Sequence, residues 1–379
     1  MPWVVRMRIE ILDEGFICRL SANERSERLG VGSRVVSLDN SLPNNGELVC
    51  SFMMSRGLAV NDFVPVLSRS NDLGKTWSEP EPIWPSLMDT WALFVSISRD
   101  QANQLYLYGT RCAIDQAGES IWSDATQGLK QNELIWAGSG DLGHRWTDPA
   151  PILKPTPGSA EAPGTLCVTS SGRWIACYSP SNNFDPRERV ERNQVVAVFS
   201  DDQGFSWQPT TMLHFADQQT SAAEAWVVEL SDRRLLGTAW HVPRDGDDLP
   251  NAYAISHDGG TLWQPTRSTG IMGQTTALAP WTDGRAMFLY NQRKHGEPGV
   301  WLAVVRPTAA DFGIEIDQIV WKAPTATRSM SSGDLCEWSD FSFGEPSITH
   351  LSDDTWLVAL WCVQPTGTGI RYVKLKLHA

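Results

Sequence analysis

The sequence predicts an all-β chain folded as a six-bladed β-propeller. Three observations carry this: an octapeptide frame returns four times at near-even spacing, strand-length apolar runs recur around each copy, and the last repeat is one strand short. Repeats of this kind signal supersecondary units stacked around a shared core. By length alone 379 residues allow two or three domains, but a repeat period near 60 favours one large β domain over 1–379.

The frame reads SNDLGKTW (Ser70–Trp77), SGDLGHRW (Ser139–Trp146), SDDQGFSW (Ser200–Trp207) and SHDGGTLW (Ser256–Trp263), with starts 69, 61 and 56 residues apart. Each copy suits a hairpin turn. Asp72, Asp141, Asp202 and Asp258 can accept hydrogen bonds from the turn's own N–H groups. Gly74, Gly143, Gly204 and Gly260 can take the positive φ of a tight turn. Trp77, Trp146, Trp207 and Trp263 open the next strand and are expected to bury a ring between blades. One carboxylate per turn is too few for calcium, which takes about six to eight oxygens. The frame therefore reads as structural.

The elements follow in order. Residues Val4–Leu12 alternate apolar and charged side chains and read as a strand. The first repeat gives SRVVSLD, ELVCSFMM, FVPVLSRS and TWSEPEPIW, and the second follows the same plan. The third gives GTLCVTS, RWIACYS, NQVVAVFS and SWQPTTML; the fourth gives AWVVELS, RLLGTAW, NAYAIS and LWQPTRS. The fifth, TTALAPW, RAMFLYN, GVWLAVV and DQIVWKAP, carries RPTAADFG in place of the frame. The sixth, EPSITHL, TWLVALWC and IRYVKLKL, has only three strands. The N-terminal strand is expected to supply its fourth, closing the ring and removing an open edge. Helical signals are confined to AADFGIEI and RERVERNQ, a turn or two inside loops, and PTATRSMSSGDLCEWSD (324–340) reads as a long inter-blade loop.

Composition narrows the function. Hydrophobic content of 41% and charged content of 20% suit a globular chain with a sizeable core. A formal net charge of −13 argues against a nucleic-acid partner, which needs clustered Lys and Arg, and against attachment to anionic lipid. No apolar run is long enough for a transmembrane helix. The N-terminus lacks the pattern of a signal peptide, so the expectation is a cytoplasmic protein. The seven cysteines (18, 50, 112, 167, 177, 336 and 362) are odd in number and form no C-x-x-C. Most sit in apolar strand patterns and read as buried reduced thiols. No metal or other cofactor is expected.

S-x-D-x-G-x-x-W is similar to the Asp box of the sialidase superfamily. Four copies at blade spacing extend the resemblance over nearly the whole chain, and it implies a propeller of sialidase type. It implies less about activity, because Asp boxes also occur in binding proteins, other glycosidases and lyases.

In that geometry the starts of the first strands and the ends of the second strands share one face, opposite the Asp boxes. The first-strand starts are Arg34, Asp89 with Trp91, Glu161, Glu224, Gln274 and Glu345. The second-strand ends and their loops add Arg56, Arg111, Tyr178, His241, Arg293 and His295. Any one Glu here has an ordinary reading as a solvated rim residue. Three at equivalent places in three blades, facing several Arg, point to chemistry. Paired carboxylates can divide labour, one protonated as acid and one ionised as base or nucleophile. Arg34, Arg111 and Arg293 can bind a substrate carboxylate or sulfate through parallel hydrogen bonds. Asp89, Tyr178 and Gln274 offer further substrate contacts. Trp91, Trp226 and Trp240 can stack on sugar faces or simply pack in the core. His241 and His295 are candidate acids or donors.

The sialidase resemblance can be followed residue by residue. Arg34 resembles the family's first-blade arginine, and Glu224 resembles the Glu that opens its fourth blade. The next strand, where the family has an arginine, ends here in Trp240 and His241. Arg293 stands near the place of the third arginine. Glu345 stands where the nucleophilic Tyr belongs. The site thus reads as rebuilt around carboxylates. The expected activity is a glycoside hydrolase cleaving a terminal sugar, acidic sugars included. Glu224 would pair with Glu345 or Glu161, and His241 would assist. Two alternatives stay open: a polysaccharide lyase using His241 or Tyr290 as base, and a non-catalytic propeller binding carbohydrate or protein.

Overall fold

The computed structural model describes residues 7–21, 24, 28–38, 46–243, 249–329, 338–352 and 354–378. They are almost entirely strands and turns, arranged as six antiparallel blade sheets with a small two-stranded sheet, Trp122–Ser123 against Gly128–Leu129, beside them. The inner strands of blades one to six begin at Leu29, Trp91, Ser159, Ser221, Gln274 and Phe343. The inner strand of blade six also packs against that of blade one, so the ring closes.

Burial explains the patterning. Every residue of Leu29–Ser37, the inner strand of blade one, is buried. A strand covered on both faces reads as a near-continuous apolar run. Outer strands are the reverse: Glu81–Pro82 in blade one and Arg267–Ser268 in blade four are two-residue, exposed edges. Both are shorter than the sequence suggests. Prolines and charges shorten the pairing there, and short charged edges resist strand addition by another chain.

Blade six is closed as expected. Arg8–Arg19 pairs antiparallel with Gly367–His378, from Arg8 opposite His378 to Arg19 opposite Gly369. The strand runs further than Val4–Leu12, whose first three residues lie outside the described ones. Glu10 and His378 add a 2.6 Å contact across the seam. The two helical signals form no helix: they are loop running into the strands that open at Ile314 and Gln194. The loop 324–340 is described only at its ends, including a short 3₁₀ turn at Trp338–Asp340. Cys336 lies outside the described residues. The six described cysteines are free thiols, four of them buried.

The four turns are built alike. The hydroxyls of Ser70, Ser139, Ser200 and Ser256 lie 2.8, 2.9, 2.8 and 2.9 Å from the Asp Oδ1 two residues on. Each accepts the N–H of the turn glycine at 2.7, 2.8, 2.8 and 2.9 Å. Those glycines have φ of 76°, 82°, 87° and 90°, a conformation that favours Gly. The tryptophans are half-buried, each packed against a core shared by its own blade and the preceding one, as the sequence suggested. The indoles of Trp146, Trp207 and Trp263 reach back to the turn glycine's carbonyl at 3.2, 3.1 and 3.1 Å. That bond keeps one edge of each ring at the turn.

Candidate active site

The inner strands begin with a repeated distortion. In blades one, four and six, two residues on the inner strand oppose one on its neighbour, between Val31 and Arg34, Ala223 and Trp226, and Gly344 and Ser347. Blade five has a similar register shift between Gln274 and Thr276. The residues at these bulges, Gly32, Glu224, Thr275 and Glu345, have φ of 65°, 50°, 62° and 45°. Bulges re-aim side chains beside functional sites. Non-glycine residues held in left-handed backbone cost roughly 1–3 kcal/mol each and persist where the surroundings enforce them.

Hydrogen bonds between inner strands enforce them here. The Glu224 N–H donates to Glu161 Oε2 at 2.7 Å. The Thr276 hydroxyl donates to the Glu224 carbonyl at 2.9 Å, and the Ser347 hydroxyl to the Ser33 carbonyl at 2.9 Å. Arg34 ties blades together: Nη1 donates to the carbonyls of Ser33 (2.9 Å) and Glu345 (3.0 Å), and Nη2 to that of Pro163 (2.9 Å). Arg293 donates from Nη1 to Gln274 Oε1 at 2.9 Å and from Nη2 to the Phe343 carbonyl. Glu161 lies in blade three, whose inner strand is split into Ser159–Glu161 and Cys167–Val168. Pro163, which has no N–H to give a ladder, sits in the gap.

Glu161, Glu224 and Glu345 are half-buried and within electrostatic reach of one another. Burial pushes the Glu161 carboxyl well above the usual range, and the neighbouring charge of Glu224 adds to it. Burial also raises Glu224, opposed by a Thr275 hydrogen bond and by the charges of Arg293 and Arg34. Glu345 is raised to about 7, by burial first; Arg34, the Gly32 amide and the Trp361 indole favour its ionised form. Burial lowers the Arg293 guanidinium to about 10, and Glu224 and Glu345 resist that fall. Two guanidiniums can balance two carboxylates. Burial and mutual repulsion then favour a proton kept among the three.

The other candidates lie elsewhere or serve as support. Gln274 holds Arg293. His241 stacks on Phe215 with ring centroids 3.9 Å apart, and burial lowers its pKa. Tyr178 is wholly buried, its hydroxyl 3.0 Å from that of Thr156, so it is a core residue and not a substrate contact. Arg111 donates to Glu133 at 2.7 Å and lies over the Trp91 ring at 4.6 Å, which commits both to blade two. Asp89 is exposed, as is His295. Trp226 is buried under Arg34 at 5.1 Å and packs in the core. The Tyr290 hydroxyl bonds both carboxylate oxygens of Asp317, at 3.0 and 2.9 Å, on the outer strand of its blade. An open cleft of about 1160 Å³, lined by Cys18, Arg19, Arg28, Arg56 and Asp62 among others, includes none of the three glutamates. Thr275, Trp361 and Gly32 were not singled out from the sequence as site residues. Aligning the blades on their bulges finds Thr275 and Gly32, because both occupy the place of Glu224 and Glu345.

No protein-family model matches the chain, and no curated protein does. Solved structures do. A protein of unknown function from Dyadobacter fermentans aligns over 98% of this chain and 99% of its own, with TM-score 0.74 and 17% identity. The NanB sialidase of Streptococcus pneumoniae aligns over 96% of this chain and 70% of its own, with TM-score 0.62 and 14% identity. The fold is that of the sialidases. The α-L-arabinofuranosidase Arb93A of Fusarium graminearum shares it, over 97% of this chain and 98% of its own, with TM-score 0.60 and 14% identity. On this sialidase-type propeller, blade six opens with Glu345, where the family resemblance calls for a tyrosine.

Proposed function

We propose that the chain is a glycoside hydrolase that cleaves a terminal sugar with Glu161 as proton donor and Glu224 as its ionised partner. The observation that carries the reading is the convergence of Glu161, Glu224 and Glu345 from three blades beside two guanidiniums, where burial raises the proton affinity of all three. Hydrolysis needs such carboxyls in two states: a neutral one to protonate the leaving oxygen, and an ionised one to attack the anomeric carbon or take a proton from water. Water adds across the glycosidic C–O bond, its hydrogen ending on the leaving oxygen. Arg34 and Arg293 hold Glu224 ionised, and Glu345 adds negative charge beside the positive charge that develops on the sugar. Glycosidases among the structural neighbours support the scaffold's suitability. A lyase is less well supported, because Tyr290 is bound to Asp317 and the His241 ring lies on Phe215.

The test is product analysis by mass spectrometry and ultraviolet absorbance after incubation with neutral, acidic and sulfated oligosaccharides. The wild type is expected to give water-added products. Glu161→Gln and Glu224→Gln should each lose on the order of a hundredfold or more in rate. With an aryl glycoside whose leaving group needs no proton, Glu161→Gln should recover and Glu224→Gln should not. An unsaturated product would replace the reading with a lyase. Binding without turnover, unchanged in both variants, would replace it with a binding propeller.

A further inference from the structure

The three glutamates share their space with two arginines, and neither arginine is offered to a ligand. Arg34 is 1% exposed and Arg293 is 5% exposed. Both Nη atoms of each donate to the protein's own oxygens: Ser33, Glu345 and Pro163 carbonyls for Arg34, and the Gln274 amide and Phe343 carbonyl for Arg293. The flat faces are covered too. Trp226 lies 5.1 Å from the Arg34 guanidinium, and Phe341 lies 3.8 Å from that of Arg293. Recognition of a sugar carboxylate or sulfate needs an accessible planar fork that meets two of its oxygens. Elsewhere among the candidate arginines, Arg111 is paired with Glu133 and Arg56 with Asp62. The half-buried carboxylates are thus more accessible to an entering group than either guanidinium.

Blade one and blade two supply a contrasting surface. Gly32 occupies the bulge position that holds Glu224 and Glu345 in blades four and six. It has no side chain, and the space a Cβ would take is filled by the Phe94 ring, with Cζ 2.7 Å from that point, and by the tip of Met53. Phe94 is half-exposed, and the Gly32 amide beside it reaches Glu345. The surroundings of the carboxylates therefore include an aromatic edge, suited to the C–H face of a sugar ring.

We propose that the sugar bound at this site is electrically neutral, a pyranose or furanose with hydroxyls but no carboxylate, sulfate or phosphate. The proposal rests on the hydrolase reading and names its substrate class. It departs from what the sialidase resemblance alone implies. Hydroxyls can donate to the ionised carboxylates and leave no charge unpaired, whereas an anion would be desolvated among like charges.

The experiment has a turnover arm and a binding arm. In the first, wild-type enzyme is assayed on 4-nitrophenyl glycosides of neutral pentoses and hexoses, and on those of N-acetylneuraminate and glucuronate. Neutral glycosides should be cleaved with kcat/KM at least a hundredfold above either acidic one. In the second, saturation-transfer NMR with Glu161→Gln protein compares neutral methyl glycosides with N-acetylneuraminate and glucuronate. The neutral sugars should show transfer, weakened at least tenfold in apparent affinity by Phe94→Ala in the same background. Cleavage of an acidic glycoside as fast as a neutral one overturns the neutral-sugar proposal and leaves the hydrolase reading standing. Neutral binding with no turnover of any glycoside overturns the hydrolase reading and keeps the charge preference. Acidic binding equal to neutral, or no neutral binding at all, overturns the proposal directly.

Discussion

Glu345→Gln should make the protein more stable at neutral and alkaline pH while impairing its activity. The folded state holds this carboxyl's pKa at about 7 against an ordinary 4.5, chiefly through burial. A raised folded pKa means that the folded chain binds the proton more tightly than the unfolded chain. The stabilisation is complete below pH 4.5, declines as pH rises, and is gone above the folded pKa of about 7. Each pKa unit is worth about 1.4 kcal/mol, so the full swing is roughly 3 kcal/mol. For 379 residues the unfolding entropy is roughly 0.8 kcal/mol per degree, which turns that swing into about 4 °C of Tm. Glutamine mimics the protonated form in shape and charge. The two proteins should therefore melt together near pH 4.5 and diverge up to pH 8, with the variant higher. Calorimetry of both across pH 4.5–8.5 isolates the residue together with the carboxyls and arginines coupled to it, because distant titrations cancel in the difference. A flat difference, or a wild type that is the more stable at pH 8, would refute the assignment of Glu345 to a buried, charge-opposing site.

Three further outcomes follow from the same geometry. Arg293→Gln removes a charge that holds Glu224 ionised, so the acid limb of the kcat/KM profile should move up by about one pH unit; an unmoved limb would detach Arg293 from Glu224. Gly32→Ala puts a Cβ at φ 65° and 2.7 Å from Phe94 Cζ. It should cost about 1–3 kcal/mol, read as a lower denaturant midpoint with unchanged slope, and a neutral result would show that the bulge relaxes freely. Asp258→Ala removes the acceptor for the Ser256 hydroxyl and the Thr261 and Leu262 amides, at 2.9, 3.1 and 3.0 Å. Its loss should be about 1–2 kcal/mol at pH 7. These bonds lower the carboxyl's folded pKa, so the wild type's advantage should shrink as pH falls through it. An advantage that holds constant down to pH 3 would mean that Asp258 does not act as an ionised acceptor.

The fold was legible because its devices are local. A turn that needs Ser, Asp and Gly at fixed offsets leaves the same letters wherever it occurs, and Ser70, Ser139, Ser200 and Ser256 mark four blades directly. The missing strand of blade six was legible by count. Parity was harder to read. Tyr178 and Arg111 end second strands, yet alternation along a strand sends successive side chains to opposite faces. Tyr178 falls on the core side, and Arg111 turns to Glu133 beside it on the neighbouring strand. A bulge then resets the alternation by one residue, and no letter in AAEAW or GEPS announces it, since the left-handed residue is a Glu in both. Only blade one carries the Gly that a left-handed position favours, within GVGSRV. The same substitution pattern carries the chemistry. One backbone position bears Gly32, Glu224, Thr275 and Glu345 in four blades. The side chain there decides whether a blade contributes an apolar wall, a carboxylate or a hydroxyl that steadies its neighbour's carboxylate. Glu224→Gly or Glu345→Gly should therefore relieve the left-handed strain and keep the bulge, as Gly32 does in blade one, while removing the carboxylate it aims; a stability loss in either variant would show that the carboxylate, and not the backbone, holds the bulge.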